Sequence, residues 1–185
     1  VQTCALPICK ELEKVELPKT IKKVSKYAFE ETPWLTSRSE EFVIVGNGIL
    51  IGYNGDDRTV KIPEGILYIA DGGFKKIMNS DEENMIETII LPKSLELLDN
   101  SATDLENLKY VVFQNDLPNG EMTRVERSAQ RKEITVVAPQ ESSIYKKLKD
   151  ENAQCITLEE YNGKYVYIYM GFGNSLVRCS FICGM

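Results

Sequence analysis

The side chains of this chain that could take part in catalysis do not include a histidine. None of the 185 residues is histidine, which removes the commonest general base and the commonest zinc ligand. Catalysis by Ser-His-Asp or Cys-His groups is therefore excluded within this chain. We expect no catalytic residue, no cofactor and no metal, and hence a protein that is not an enzyme.

Two groups of oxygen-bearing side chains remain as candidates for chemistry. Asn54, Asp56 and Asp57 lie on one predicted turn and offer ligands to Ca²⁺, but no glutamate follows at the spacing of an EF-hand. The acidic run 81–83 contains the carboxylates that a glycosidase would need. Because no apolar residue adjoins that run to perturb a carboxyl group, we interpret it as a solvated loop.

The cysteine spacing does not match a metal-binding motif. Cys179 and Cys183 are separated by three residues rather than the two of a metal knuckle, and no second pair complements them. For these two residues, and for Cys9 and Cys155, buried thiols and a disulfide in a secreted protein both remain open.

The charge of the chain argues against nucleic-acid binding. Lys and Arg total 22 and Asp and Glu total 28, giving a net charge of −6. An acidic chain lacks the positive field of a nucleic-acid-binding protein. Lys19, Lys22, Lys23 and Lys26 form a local basic group, which we interpret as a solvated face rather than a phosphate site. No apolar run is long enough to form a membrane-spanning helix.

A repeated pattern of apolar residues determines how the chain folds and positions the side chains discussed above. The segments LPKTIKKVSKYAF at 17–29 and IPEGILYIADGGF at 62–74 share apolar positions but few polar ones. Pro follows the leading strand in three repeats and turns the chain, because Pro cannot donate to a strand ladder. Five strand-like segments end at a basic spacing of about 22 residues, with one gap about twice as long, at Leu17, Ile62, Leu91, Phe113 and Val136.

A unit of this length cannot bury its own apolar face, so neighbouring units must stack. Alternation along each strand places Val15, Val60, Ile89 and Val111 inward. Phe29 and Phe74 should then be buried in successive layers of the stack. We predict strands in a single sheet near residues 13–17, 58–62, 87–91, 109–113 and 134–137.

The skeleton Leu-x-x-Val-x-Leu-Pro-x-x-Ile-x-x-Val-x-x-x-Ala-Phe resembles the BspA-type leucine-rich repeats of bacterial cell-surface proteins. The resemblance covers residues 9–157 and implies an α+β, mostly β solenoid. This would be a leucine-rich-repeat stack of short strands with a β-hairpin insert and a C-terminal capping helix. The family is secreted or surface-attached and acts in adhesion and in host or matrix binding, without catalysis in its repeats. The residues that carry the resemblance are Leu12, Val15, Leu17, Pro18, Ile21, Val24, Ala28, Phe29, Val60, Ile62, Pro63, Ile66, Ile69, Phe74, Ile86, Ile89, Leu91, Pro92, Leu95, Leu98 and Ala102.

The chain departs from the repeat near its start and in an insert. Residues 1–8, VQTCALPI, look like one reading frame of a sequencing adapter, so we interpret them as an artefact and the chain as a fragment of a larger gene product. The insert at 36–57 predicts a hairpin over 42–53 that turns at its Gly-Asn-Gly sequence. Trp34, the only tryptophan, is expected to pack beneath this insert.

The C-terminal part also differs from the repeat. Residues 139–157 predict a cap made of one helix and a short closing strand, with Ser142 or Ser143 capping the helix. Residues 158–185 form a tail that we leave without an assigned function.

These observations lead to two hypotheses about function. The first is a non-catalytic protein-interaction or adhesion module of a secreted or cell-surface bacterial protein, which binds a protein or a surface or matrix macromolecule. The alternative is an accessory binding region of a larger cell-surface enzyme. Alternation directs Lys61, Ile90, Tyr110 and Val112 outward, so we predict them as partner-binding residues. The alternative is that the insert, the cap or the tail covers the stripe formed by these four residues.

Overall fold

The computed structural model describes residues 11–74, 76–77, 85–117 and 123–163. The expectations for residues 1–8, for the acidic run 81–83, for Cys9, Cys179 and Cys183, and for most of the tail lie outside this part of the chain. The elements are a 3₁₀ helix (Lys26–Phe29), α1 (Pro33–Thr36), β1 (Phe42–Val45), β2 (Ile49–Tyr53), β3 (Thr59–Lys61), β4 (Tyr68–Ile69), β5 (Thr88–Ile90), β6 (Leu97–Leu98), β7 (Tyr110–Val112), α2 (Thr123–Gln130), β8 (Thr135–Ala138), α3 (Ser143–Asp150), β9 (Cys155–Thr157) and α4 (Leu158–Gly163).

One layer of the fold is a five-stranded parallel sheet in the order β3-β5-β7-β8-β9. Val60, Ile89, Val111, Val136 and Cys155 are paired in register across it, and all five side chains belong to the same buried cluster. Their neighbours along each strand therefore point to the opposite face, as the two-residue period of a strand requires.

The second layer begins as a four-stranded mixed sheet in the order β1-β2-β4-β6. β1 and β2 form an antiparallel hairpin, whereas β2, β4 and β6 run parallel. The hairpin turn uses Gly46 and Gly48, both with positive φ. A Cβ on Gly48 would lie 2.3 Å from the carbonyl oxygen of Gly65, so this turn can approach the 65–68 segment only with glycine at that position.

Helices α2 and α3 continue the second layer beyond the mixed sheet. Each connects two parallel strands of the five-stranded sheet, as in a βαβ unit. Val125 and Leu148 from these helices share one buried core with Leu50 and Ile69 of the mixed sheet and Val111 of the parallel sheet. The molecule is therefore an α/β protein with one parallel and one mixed sheet.

The predicted leucine-rich-repeat solenoid is wrong. The strands form two sheets rather than one, an antiparallel hairpin is part of the second, and helices complete that layer. The predicted strand at 13–17 is absent, and Val15 and Leu17 instead pack on the outer side of the mixed sheet. Val15 and Leu17 are half-buried against a sheet face rather than paired in a strand, so Val15 does not share the environment of Val60.

Several local predictions agree with the structure. Four of the predicted strands coincide with β3, β5, β7 and β8, and the hairpin occupies residues 42–53. Ser142 caps the predicted helix by accepting a hydrogen bond from the Tyr145 backbone N–H at 3.3 Å.

Phe29 and Phe74 are both buried, as predicted, but not in successive layers of one core. Phe74 lies between the two layers, whereas Phe29 lies on the outer side of the mixed sheet, with its ring centroid 4.7 Å from that of Trp34. Trp34 is buried and has a core-packing role, as predicted.

Candidate binding surface

The outer face of the five-stranded sheet carries the four residues predicted to bind a partner. In-register pairing places Lys61, Ile90 and Val112 in one row across β3, β5 and β7. Tyr110 lies in the neighbouring row, beside Thr88 of β5. Sequence alternation was sufficient to place these side chains on one face, because the strands pair without a register shift.

One end of this face is covered by α4. The Tyr110 and Tyr161 ring centroids are 5.6 Å apart, and Tyr161 is buried in a cluster with Val112 and Val137. Val112 is only 3% exposed, contrary to the expected exposure. The first residues of the tail thus supply the cover that the sequence left as an alternative.

A reciprocal pair of hydrogen bonds fixes the start of α4. The Thr157 N–H donates to Glu160 Oε2 at 2.6 Å, and the Glu160 N–H donates to Thr157 Oγ1 at 3.1 Å. This is a capping box, in which two backbone donors that the helix leaves unpaired are satisfied by the two side chains. It holds Tyr161 over the sheet.

The other end of the face is open among the described residues. Lys61 is exposed, and Ile90 and Tyr110 are half-buried. An apolar and aromatic surface therefore meets an exposed cation where the cover by α4 ends.

A row of charged side chains borders the sheet just before the strands begin, two residues ahead of the inward-facing Val60, Ile89 and Val111. Arg58 Nη1 and Lys109 Nζ lie 2.8 and 3.0 Å from the same Glu87 oxygen. The hydrogen bond from Lys109, followed by the charges of Lys109 and Arg58, lowers the pKa of Glu87 below its ordinary value. Two cations share one carboxylate, so the border is positive on balance.

Sequence reasoning left cover by the tail as an alternative without identifying Tyr161, and it missed this charged border. The Thr157-x-x-Glu160 spacing is a recognisable capping box and could have predicted α4. The border could not be found in the same way, because Arg58, Glu87 and Lys109 become neighbours only through the register of the sheet.

The other candidate residues have structural roles. Asn54 Nδ2 donates to the Glu40 carbonyl oxygen at 2.9 Å, and Asn54 Oδ1 accepts from the Ile77 N–H at 3.2 Å. Asp56 forms an ion pair with Lys76 at 2.6 Å. Within the described ranges, no three His, Cys, Asp or Glu side chains are grouped so that they could hold a metal ion.

Cys155 is a buried free thiol on β9. Burial raises the pKa of this thiol above its ordinary value, which disfavours the reactive thiolate. The structure therefore gives Cys155 the properties of a small core residue rather than a nucleophile.

None of the helices in the part of the chain that the structure describes is long and apolar enough to cross a membrane. No family model, no curated protein and no solved structure matches the chain.

Proposed function

We propose that this protein is a non-catalytic protein-interaction module that binds its partner through the open end of the five-stranded sheet. The observation that carries the proposal is the half-buried pair Ile90 and Tyr110 beside the exposed Lys61. Apolar side chains on an outer sheet face gain little from folding unless something covers them, and α4 covers only one end.

Tyr110 has the properties of an interface anchor. Its ring is held on one side by Tyr161, so little side-chain freedom is lost when a partner packs against its exposed part. Ile90 extends the apolar contact towards Lys61, with which it is paired in register.

The exposed Lys61 beside the apolar contact favours an acidic or polar partner surface. Arg58 and Lys109, which share the single carboxylate of Glu87, add positive charge where β3 and β7 begin. Charges at the rim of an interface contribute more to orientation and association rate than to affinity. They would therefore select the partner, while Ile90 and Tyr110 hold it.

The proposed partner is a protein or a surface or matrix macromolecule, and the proposed location is extracellular or at a bacterial cell surface. The location is supported only by the resemblance of the repeated residues to bacterial surface proteins, independently of the fold. The net charge of −6 supports the expectation that nucleic acid is not the partner.

The test is a binding assay against a panel of immobilised extracellular-matrix proteins. The variant combines Ile90→Ser with Lys61→Glu, and the control combines Ile44→Ser with Lys132→Glu. Ile44 is a suitable control because it is an exposed strand residue, at 45% exposure, in the mixed sheet. Circular dichroism and the melting temperature show whether each variant is folded.

We expect the Ile90 and Lys61 variant to weaken binding at least about tenfold, as for loss of interface contacts with a central role. The control should bind as the unchanged protein does. Equal binding by both folded variants, or absence of binding to every member of the panel, would contradict the proposal.

A further inference from the structure

A groove of about 540 Å³ lies on the other side of the molecule. Its floor is part of the outer face of the mixed sheet, with Leu67, Tyr68 and Leu97 among its lining residues. One wall is the segment from Lys19 to Lys23. The volume falls within the range of ~300–1,000 Å³ that is typical of sites for small molecules.

The backbone holds the walls of this groove in place. The N–H groups of Leu67 and Tyr68 both donate to the Gly48 carbonyl oxygen, at 2.8 and 3.1 Å, which joins the hairpin turn to the floor. A Cβ on Gly46 would lie 3.2 Å from Ile21 Cγ2, so the same turn also packs closely against the lysine-bearing wall.

Tyr68 is fixed in the floor by its hydroxyl group. The hydroxyl donates to Asp99 Oδ2 at 3.2 Å, and burial, followed by the negative charge of Asp99, raises the pKa of Tyr68. The ring is therefore a neutral part of the floor, anchored by this hydrogen bond, and the half-buried apolar surface beside it comes from Leu67 and Leu97.

The charges of the groove oppose the charge of the whole chain. Lys19, Lys22 and Lys23 line it, against the single carboxylate of Glu96. All three lysines are exposed, and the ion pairs found among the described residues involve none of them. A protein with a net charge of −6 thus presents three cations beside an apolar floor.

We propose that this groove binds a small free amphiphile with an anionic head and an apolar body, such as a medium-chain carboxylate. The head lies at Lys22 and Lys23, whose ammonium groups pair with an anion as point charges. The apolar body lies over Ile21, Leu67 and Leu97 and removes their exposed surface from water. The sequence alone favours interpreting this basic group as a solvated face. The group gains a binding role because segments distant in sequence place an apolar floor beside it.

The first experiment is a calorimetric titration with dodecanoate below its critical micelle concentration. We expect saturable binding of one equivalent. Dodecan-1-ol, which has the same chain but no charge, and butanoate, which has the charge but a short chain, should each bind at least about tenfold more weakly. Both contributions are needed if the lysines and the floor act together.

The second experiment compares two double variants that each remove two positive charges. Lys22→Gln with Lys23→Gln should weaken dodecanoate binding about tenfold, the effect of losing charge-assisted contacts. Lys132→Gln with Lys149→Gln should leave it unchanged, because these exposed lysines lie outside the groove. All four positions are on the surface, so both variants are expected to fold.

Chemical-shift changes on adding dodecanoate should centre on residues 19–23, 67 and 97. The proposal is overturned if the two double variants bind dodecanoate equally, or if the shifts centre elsewhere. It is also overturned if binding appears only above the micelle concentration, or only with vesicles of an anionic phospholipid, since the ligand would then be a lipid surface.

Discussion

Two glycines in neighbouring turns have the same sign of φ but different surroundings. Gly48 has φ +76° and faces the Gly65 carbonyl oxygen, whereas a Cβ on Gly65, at φ +93°, would meet nothing within 4 Å. Sequence alone marks both as turn residues. It cannot show that Gly65 is needed only for its backbone freedom, whereas Gly48 is also needed because no side chain fits there.

We expect Gly65→Ala to lower the free energy of unfolding by about 1 kcal/mol, the cost of a left-handed backbone conformation. Gly48→Ala should cost about 3 kcal/mol, because strain and a backbone collision add. Urea denaturation of both variants measures the difference. Equal losses would show that the hairpin turn moves away from the 65–68 segment without cost.

The thiol of Cys155 gives a prediction about pH. Burial raises its pKa in the folded protein, so the folded state resists ionisation of the thiol more than the unfolded state does. The resulting stability is complete below the unfolded-state pKa and is lost as pH rises through the folded-state pKa.

Cys155 should therefore react slowly with iodoacetamide at pH 8 in the native protein and rapidly in concentrated urea. Mass spectrometry of the peptide that contains Cys155 separates its reaction from those of the other cysteines. The alkaline loss of stability should be smaller in Cys155→Ala than in the unchanged protein. Rapid modification under native conditions would contradict its assignment to the core.

For strands, the sequence predicts the location along the chain better than it predicts which strands pair with each other. Val60, Ile89, Val111 and Val136 were placed correctly because each alternates with an outward residue in a short β-prone segment. The apolar residues Ile69 and Leu98 were identified as positions of the repeated skeleton but not as strand residues, and they belong to strands of only two residues. A pattern this short cannot specify whether it pairs or packs, because that depends on segments distant in sequence.

Loss of the capping box of α4 is predicted to lower the protection of the α4 amides from hydrogen exchange. Thr157→Val keeps the side-chain size but removes the hydroxyl oxygen that accepts from the Glu160 N–H. We expect a loss of about 1 kcal/mol, typical of a lost cap. Hydrogen exchange should become faster in α4, while β5 keeps its protection. Glu159→Gln is the control, because Glu159 is exposed in the same helical turn; similar exchange in both variants would contradict the role of the cap.

For the whole molecule, one shared core predicts one cooperative transition. Phe74 is fully buried between the two layers, so Phe74→Ala should cost roughly 3–5 kcal/mol. Trp34 is a fluorescence probe of unfolding on the opposite side of the mixed sheet. Its fluorescence and the far-ultraviolet circular dichroism should show the same denaturation midpoint, lowered equally in the variant. Separate midpoints would mean that the outer cluster unfolds independently of the core.

Whole-molecule features were the least accessible from sequence. The lysines at 19–23 were visible as a basic group, but the floor beside them comes from residues 67 and 97. The outward direction of the stripe on the five-stranded sheet was predicted, with cover by the insert, the cap or the tail left open. Which segment covers it could not be decided, because that depends on how α4 returns over the strands.

The antiparallel hairpin also bears on the time course of folding. β1 and β2 are joined by a three-residue turn, whereas every parallel pair in the two sheets joins segments distant along the chain. Closing a short loop costs less entropy and takes less time, so pairing between Val43 and Gly52 is expected to precede the parallel ladders. The hairpin would then present β2 as a template on which β4 and then β6 align. The segment that contains β1 and β2 is sufficient to begin this order of assembly.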